Sequence, residues 1–250
     1  MSFIRRTLPL SACAALAALT AISQVPTNLY LLPNSSATAP TTTSFRTDPF
    51  SSFGSFPVQP GSSFLLMHPN GQKLYSVARS ASDTLWVLDA ANPATVLSRQ
   101  SLGQAEAAVL SPDGRRLLIA AGALHIIDTT SDTRLAELTT AGNTPTDVAV
   151  ALDGSRAFVL SQASRTLTAV DLNTNTVAGN PITVPGLSSG VAVGPNGLVY
   201  VSTVNLVQII DGRTMTLLKE IQVNASPGKM IFTPDGLYGL AVNKTPITGT

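Results

Sequence analysis

Half of the acidic side chains in this chain recur at two fixed points of a repeat, and that recurrence limits the chemistry they can do. Asp89, Asp128, Asp171 and Asp211 each close an apolar run, and Asp113, Asp153 and Asp235 each precede a glycine in a turn. Together they are seven of the 14 Asp and Glu residues. Catalysis needs a residue placed unlike its siblings, so a carboxylate present in every unit reads as a cap on strand and turn amides. The two histidines stand in permissive slots. His125 lies three residues before a strand-end Asp, where its siblings are Trp86, Thr168 and Gln208. His68 precedes a turn proline, where its siblings are Ser111, Ala151, Gly194 and Thr233. Both read as tolerated surface or edge residues, so His125→Ala is expected to change stability by under about 0.5 kcal/mol. No further His, Asp or Glu stands around them at a metal-ligand spacing. Neither a C-x-x-C-H haem attachment nor a G-x-S-x-G elbow is present. The sequence assigns no catalytic residue, no metal and no cofactor.

The elements that carry these residues are repeats. The turn recurs as Pro69-Asn70-Gly71, Pro112-Asp113-Gly114, Leu152-Asp153-Gly154, Pro195-Asn196-Gly197 and Pro234-Asp235-Gly236, with glycines 43, 40, 43 and 39 residues apart. The apolar runs recur in phase with it, from Leu85 to Asp89, Leu124 to Asp128, Leu167 to Asp171 and Val207 to Asp211. Periods of this length belong to solenoids, propellers or arrays. The third repeat divides into short β-rich runs at Asp147–Val150, Ala157–Leu160, Leu167–Asp171 and Asn180–Val184. Four strands with short connections make a propeller blade. No apolar spacing near 3.6 residues supports helices. The predicted fold is all-β, a propeller of four-stranded antiparallel blades over residues 50–250.

Ser111-Pro112-Asp113-Gly114-Arg115-Arg116-Leu117-Leu118-Ile119-Ala120, followed by Leu124 to Thr129, resembles the YVTN-type propeller repeat. The likeness lies in the period, the S-P-D-G turn and the V-I-D-T strand end. Other repeats match less fully: Leu152 replaces the turn proline, and Gly194 and His68 replace the preceding serine. The resemblance covers about residues 50–250 and implies the fold. Such repeats occur in exported and cell-surface proteins, in relatives of lactonases and beside quinoprotein dehydrogenase subunits.

Propellers bind at one mouth of the central channel, where loops join the second strand to the third and each blade to the next. On this alignment those loops carry Arg79, Asp83, Glu106, Asn143, Gln162, Arg165, Asn205, Lys229, Asn243 and Lys244. They differ from blade to blade, as a binding surface does and as ordinary solvated loops also do. Trp86 is the single tryptophan; blade packing and an exposed anchor are its two readings. The leading function is a non-enzymatic binding or scaffold module with a protein or glycan partner. The alternative is a propeller enzyme, lactonase-like or a quinoprotein-dehydrogenase-like subunit, for which Asp83, Glu106 and Asn143 are the candidate acidic and amide groups.

A formal charge of +1 with 12% charged residues leaves no footprint for nucleic acid. Residues 1–23 read as an export signal: Arg5-Arg6, an apolar run from Leu8 to Ile22, and Ala21-Ile22-Ser23 as the cleavage site before Gln24. A retained N-terminal anchor, or a lipoprotein bearing its lipid on Cys13, are the alternatives. After signal removal no segment is apolar for long enough to span a bilayer, and the expected location is secreted, cell-surface or periplasmic. Residues 24–49, rich in Ser, Thr and Pro, read as a tether with little to bury. Phe53 to Val58 reads as an outer fourth strand placed first in the chain. About four and a half blades are expected, an incomplete ring whose remaining two or three repeats would follow residue 250, so that the segment alone would be poorly soluble or oligomeric.

Overall fold

A computed structural model describes residues 28–31, 41–47, 50–79, 82–139, 144–223, 226–233 and 235–243; for 28–31, 43–54 and 242–243 it describes the backbone path alone. Every regular element among them is a strand. The first three, β1 (Asn28–Leu31), β2 (Thr41–Thr47) and β3 (Phe50–Pro57), form one antiparallel sheet in chain order. Blade one follows with β4 (Ser62–Met67), β5 (Lys73–Ala78), β6 (Leu85–Asp89) and β7 (Val96–Gln100). Blade two holds β8 (Ala107–Leu110), β9 (Arg116–Ala121), β10 (Ala123–Asp128) and β11 (Thr133–Leu138). Blade three holds β12 (Pro145–Val150), β13 (Arg156–Ser161), β14 (Thr166–Asp171), and an outer edge in two pieces, β15 (Thr176–Val177) and β16 (Ile182–Thr183). Blade four holds β17 (Ser188–Val193), β18 (Leu198–Thr203), β19 (Leu206–Asp211) and β20 (Thr216–Gln222). A last hairpin pairs β21 (Pro227–Phe232) with β22 (Gly239–Asn243).

The turns behave as their residue types require. Gly114 takes φ +73°, open to glycine and strained for other residues, and its N–H donates to Ser111 O at 2.9 Å. Asp113 Oδ1 accepts from Arg115 N at 3.0 Å and from Ser111 Oγ at 2.6 Å, and the Ser111 bond holds its carboxyl below the usual range. Asp153, Asn196, Asn70 and Asp235 accept in the same way from the amide two residues on. At the end of the third strand, Asp128 accepts from Thr130 N and Ser131 N, Asp171 from Asn173 N and Thr174 N, and Asp211 from Arg213 N and Thr214 N. Asp89 accepts from Ala91 N. The repeated carboxylates are therefore occupied by backbone amides.

Burial follows the radial order of strands. Second strands β5, β9 and β13 are buried along nearly their whole length, whereas outer strand β20 is exposed throughout. Each apolar cluster lies between consecutive sheets. Tyr75, Val77, Leu85 and Val87 of blade one meet Leu117, Ile119 and Ile127 of blade two. Leu118, Leu124 and Ile126 meet Val148, Val159 and Val170 of blade three. Phe158, Leu160 and Leu167 meet Val191, Val199 and Ile210 of blade four. Innermost strands β4, β8, β12, β17 and β21 adjoin one another in that order. Sheets stacked face to face around adjoining inner strands are the blades of a propeller.

Basic residues that look scattered in sequence staple neighbouring blades. Lys73 Nζ, on β5, donates to Thr129 O at 2.8 Å and to Asp132 Oδ2 at 2.7 Å in blade two. Arg156, on β13, donates to Gly212 O and Arg213 O at 3.0 and 2.8 Å in blade four. His68 joins them: Asn70 N donates to its Nδ1 and its Nε2 lies 3.1 Å from Gly114 O, linking the first turn to the second.

Several sequence expectations need correction. Residues 28–31 and 41–47, inside the stretch read as a tether, are strands, with Thr42 fully buried. Phe53 to Pro57 does lie along a strand, β3, with Val58 just past its end, but β1 and β2 precede it; Phe56 and Val58 pack on Leu74 and Leu88 of blade one. The fourth strand read at Asn180–Val184 is only Ile182–Thr183, with Thr176–Val177 as its other half; Gly179 at φ +73° and Pro181, which has no N–H to donate, separate the two. His125 is not a surface residue. It is 3% exposed, with Nε2 3.2 Å from Ala121 O, and burial lowers its imidazole below the ordinary 6.5. Siblings Thr168 and Gln208 are buried too. Trp86 packs against the cluster between the first sheet and blade one, with Arg99 stacked 4.3 Å above the ring.

Candidate functional site

The inner strands enter the propeller at one end, and their first residues gather around a cavity of about 500 Å3. One position per blade dominates it. Phe64, Ala107, Asp147, Gly190 and Lys229 each stand seven residues before the turn glycine of their repeat (64 before 71, 107 before 114, and so on). Repeat geometry therefore brings them to equivalent places on β4, β8, β12, β17 and β21. Phe64, Ala107, Asp147 and Lys229 line the cavity. Their neighbours Glu106, Thr146 and Ser189, each one residue earlier in its repeat, line it as well. Here the repeat stops repeating, and five unlike side chains replace a structural consensus.

The chemistry of the mouth is two charge pairs and a set of hydroxyls. Lys229 Nζ donates to Asp147 Oδ1 at 2.7 Å and to Val148 O at 3.1 Å. Asp147 Oδ1 also accepts from Val148 N, and Oδ2 from Val191 N, each at 2.9 Å. One carboxylate so binds inner strands of three sheets, β12, β17 and β21. Gly190 makes room for this: a Cβ there would lie 2.7 Å from both Cα and Cβ of Lys229. Across the cavity Arg79, following β5, pairs with Glu106 at 3.1 Å, both half exposed. Thr146 Oγ1 donates to Leu160 O at 3.1 Å, and Ser189 Oγ donates to Pro227 O. Ser188 is 7% exposed and its hydroxyl has no protein partner.

Of the predicted mouth residues, Arg79, Glu106, Gln162 and Lys229 line this one cavity. Lys229 does so from a strand rather than a loop. Asp83 lies away from it and accepts from Trp86 Nε1 at 3.4 Å. Arg165, at φ +54°, and Asn205 do not line the cavity; their carbonyls accept from Val184 N and Val223 N. Asn143 and Lys244 lie outside the described residues, and Asn243 is described as the end of β22 in backbone only. Asp147, Thr146, Ser188 and Ser189 are additions. Their signal was the broken column of the repeat alignment, not loop position. A second cleft, between blades three and four at the turn end, is lined by Asp153 and Arg156, which are spent on their turn and staple. Among the described residues no group of three or more His, Cys, Asp or Glu is placed to hold a metal ion.

Comparison with solved structures places the architecture. A chain of hydrazine synthase from Kuenenia stuttgartiensis superimposes with a TM-score of 0.66 at 20% identity over 76% of this chain and 57% of that one. A chain of the mitotic checkpoint complex does so with a TM-score of 0.71 at 11% identity, over 82% and 67%. The fold is a β-propeller. At these identities the likeness shows the fold alone, and this chain spans less than two thirds of the hydrazine synthase chain. No family model matches the sequence, and no curated protein matches it. No helix among the described residues is long and apolar enough to cross a membrane.

Proposed function

We propose that this propeller is a non-enzymatic binding or scaffold module, built of YVTN-type repeats and exported to the cell surface, the periplasm or the medium. One observation carries the reading: four members of a column of unlike residues, Phe64, Ala107, Asp147 and Lys229, line one cavity, while the repeated carboxylates are spent on turns. A framework that departs from its repeat with charged and apolar residues at a mouth is shaped for recognition there. The carboxylates at the mouth are already engaged, Asp147 by two amides and a lysine, Glu106 by Arg79. Asp147 cannot act as a base or a metal ligand without breaking its pair, and Glu106 offers one oxygen beside its paired guanidinium. The N-terminal Arg pair and apolar run supply the argument for export.

Two measurements test it. Intact-mass analysis of the exported chain is expected to find a new N-terminus at Gln24; a retained Met1 or a lipid on Cys13 would overturn the cleavage assignment. Purified chain is then screened on immobilised glycans and peptides and against lactones. Binding lost in Arg79→Ala/Glu106→Ala and kept in Asp113→Asn supports the reading. Lactone turnover with stoichiometric divalent metal would instead make the chain a propeller hydrolase.

A further inference from the structure

We infer that the mouth cavity takes a neutral, hydroxyl-rich ligand, an uncharged oligosaccharide, rather than an ion or a charged peptide; this rests on the binding reading above. The cavity has no net charge to offer. Its two cations, Arg79 and Lys229, are matched by its two anions, Glu106 and Asp147, at 3.1 and 2.7 Å. An anionic ligand drawing on either cation would lie beside the carboxylate already paired with it, and drawing Lys229 away would strand Asp147, whose side chain is only 12% exposed. A buried carboxylate stripped of its cation is strongly unfavourable. A cationic ligand meets the converse problem at Lys229.

A hydroxyl group faces no such conflict, because it donates and accepts at once. It can use what the pairs leave over. Lys229 Nζ has three N–H groups and spends two, on Asp147 Oδ1 and Val148 O. Arg79 is 57% exposed and Glu106 43%, with their contact at one nitrogen and one oxygen. A hydroxyl bridging the remaining N–H groups and the second carboxylate oxygen leaves both pairs intact. Ser188 is the second, independent pointer: the residue lines the cavity, and its buried hydroxyl has no protein partner, which is costly until something bonds it. The apolar part of the lining fits the same ligand. Leu187 and Val204, 57% and 41% exposed, sit at the rim with Phe64, as surfaces for the C–H faces of a sugar ring. A cavity of about 500 Å3 is of small-molecule size.

The test is saturation-transfer NMR on the full chain with a panel of neutral di- and trisaccharides built on glucose, galactose, mannose and N-acetylglucosamine. Sulfated and uronic-acid counterparts and short acidic and basic peptides complete the panel. Saturation of a neutral sugar is expected, nearly unchanged between about 0.05 and 0.5 M salt because no net charge is neutralised. Arg79→Ala/Glu106→Ala, both at exposed positions, is expected to weaken binding at least about tenfold, and Ser188→Ala to weaken it measurably with the fold intact. Salt-sensitive binding confined to charged members would overturn the ligand class and leave the binding reading standing. Binding of no member would sink both. Equal binding by wild type and the double variant would put the site elsewhere and overturn the inference.

Discussion

Gly114→Ala and Gly154→Ala place the same change in the same turn of adjacent blades, and the structure separates their costs. Both glycines have left-handed φ, +73° and +70°. An alanine there pays about 1–2 kcal/mol for the conformation, less about 0.4–1 kcal/mol returned by a stiffer unfolded chain. At Gly154 nothing lies within 4 Å of the added Cβ, so the account stops there. At Gly114 the Cβ would meet Pro69 Cδ at 2.9 Å and His68 Nε2 at 3.0 Å. Neither is the tip of a flexible chain: the proline ring is fixed, and the imidazole is held by Asn70 N and Gly114 O. The first turn must move away from the second, straining or losing that hydrogen bond, worth about 0.5–1.5 kcal/mol. Crowding adds about 1–2 kcal/mol. Gly154→Ala should therefore lose about 0.5–1.5 kcal/mol and Gly114→Ala about 2–5 kcal/mol, read as shifts of the urea midpoint at constant slope. Losses equal within about 0.3 kcal/mol, the limit of additivity tests, would refute the turn-to-turn contact between blades.

His125→Ala should cost about 1–3 kcal/mol by thermal or urea melts, not the small amount its unlike siblings suggest, because it empties a buried site. Burial depresses the folded imidazole below 6.5, so the stability it contributes is whole above that pH and is lost as pH falls from 6.5 towards the folded value. His125→Gln should flatten that limb of the stability–pH curve and leave unchanged any loss below 3.8, where the turn aspartates titrate. Lys73→Met should cost about 1.5–3 kcal/mol in melts, since it strands the Asp132 carboxylate, 12% exposed, in blade two. Gly190→Ala should cost about 1–3 kcal/mol, because backbone of Lys229 blocks the new methyl and β17 must part from β21; an unchanged midpoint would show that the inner strands do not meet.

The blade pattern was legible because turn chemistry and strand alternation are local: proline, Asp or Asn, and glycine in one tripeptide, and an Asp at each third-strand end, each do their work within a few residues. Local reasoning failed where the neighbouring sheet decides. His125, Thr168 and Gln208 form a polar, variable column, which suggests exposure, yet consecutive blades cover the third strand on both faces. Thr41 to Thr47 is too poor in large apolar groups to read as a strand, but β-branched threonine suits a strand once β1 and β3 pair with it on either side. At the mouth, loop residues Arg79, Glu106 and Gln162 were visible. Asp147 was not, because it sits inside an apolar strand, and only superposing the repeats shows that its column never repeats.

The account stands most directly on the meeting of Asp147 and Lys229, 82 residues apart and two sheets from one another, at the channel mouth. A double-mutant cycle of Asp147→Ala and Lys229→Ala, read by urea unfolding of the full chain, measures it. The stacked-blade arrangement predicts a coupling of about 1–2 kcal/mol that persists at high salt, as for a partly buried, hydrogen-bonded pair. Additive losses, with coupling under about 0.3 kcal/mol, would mean that the inner strands do not converge there and would contradict the site built on them.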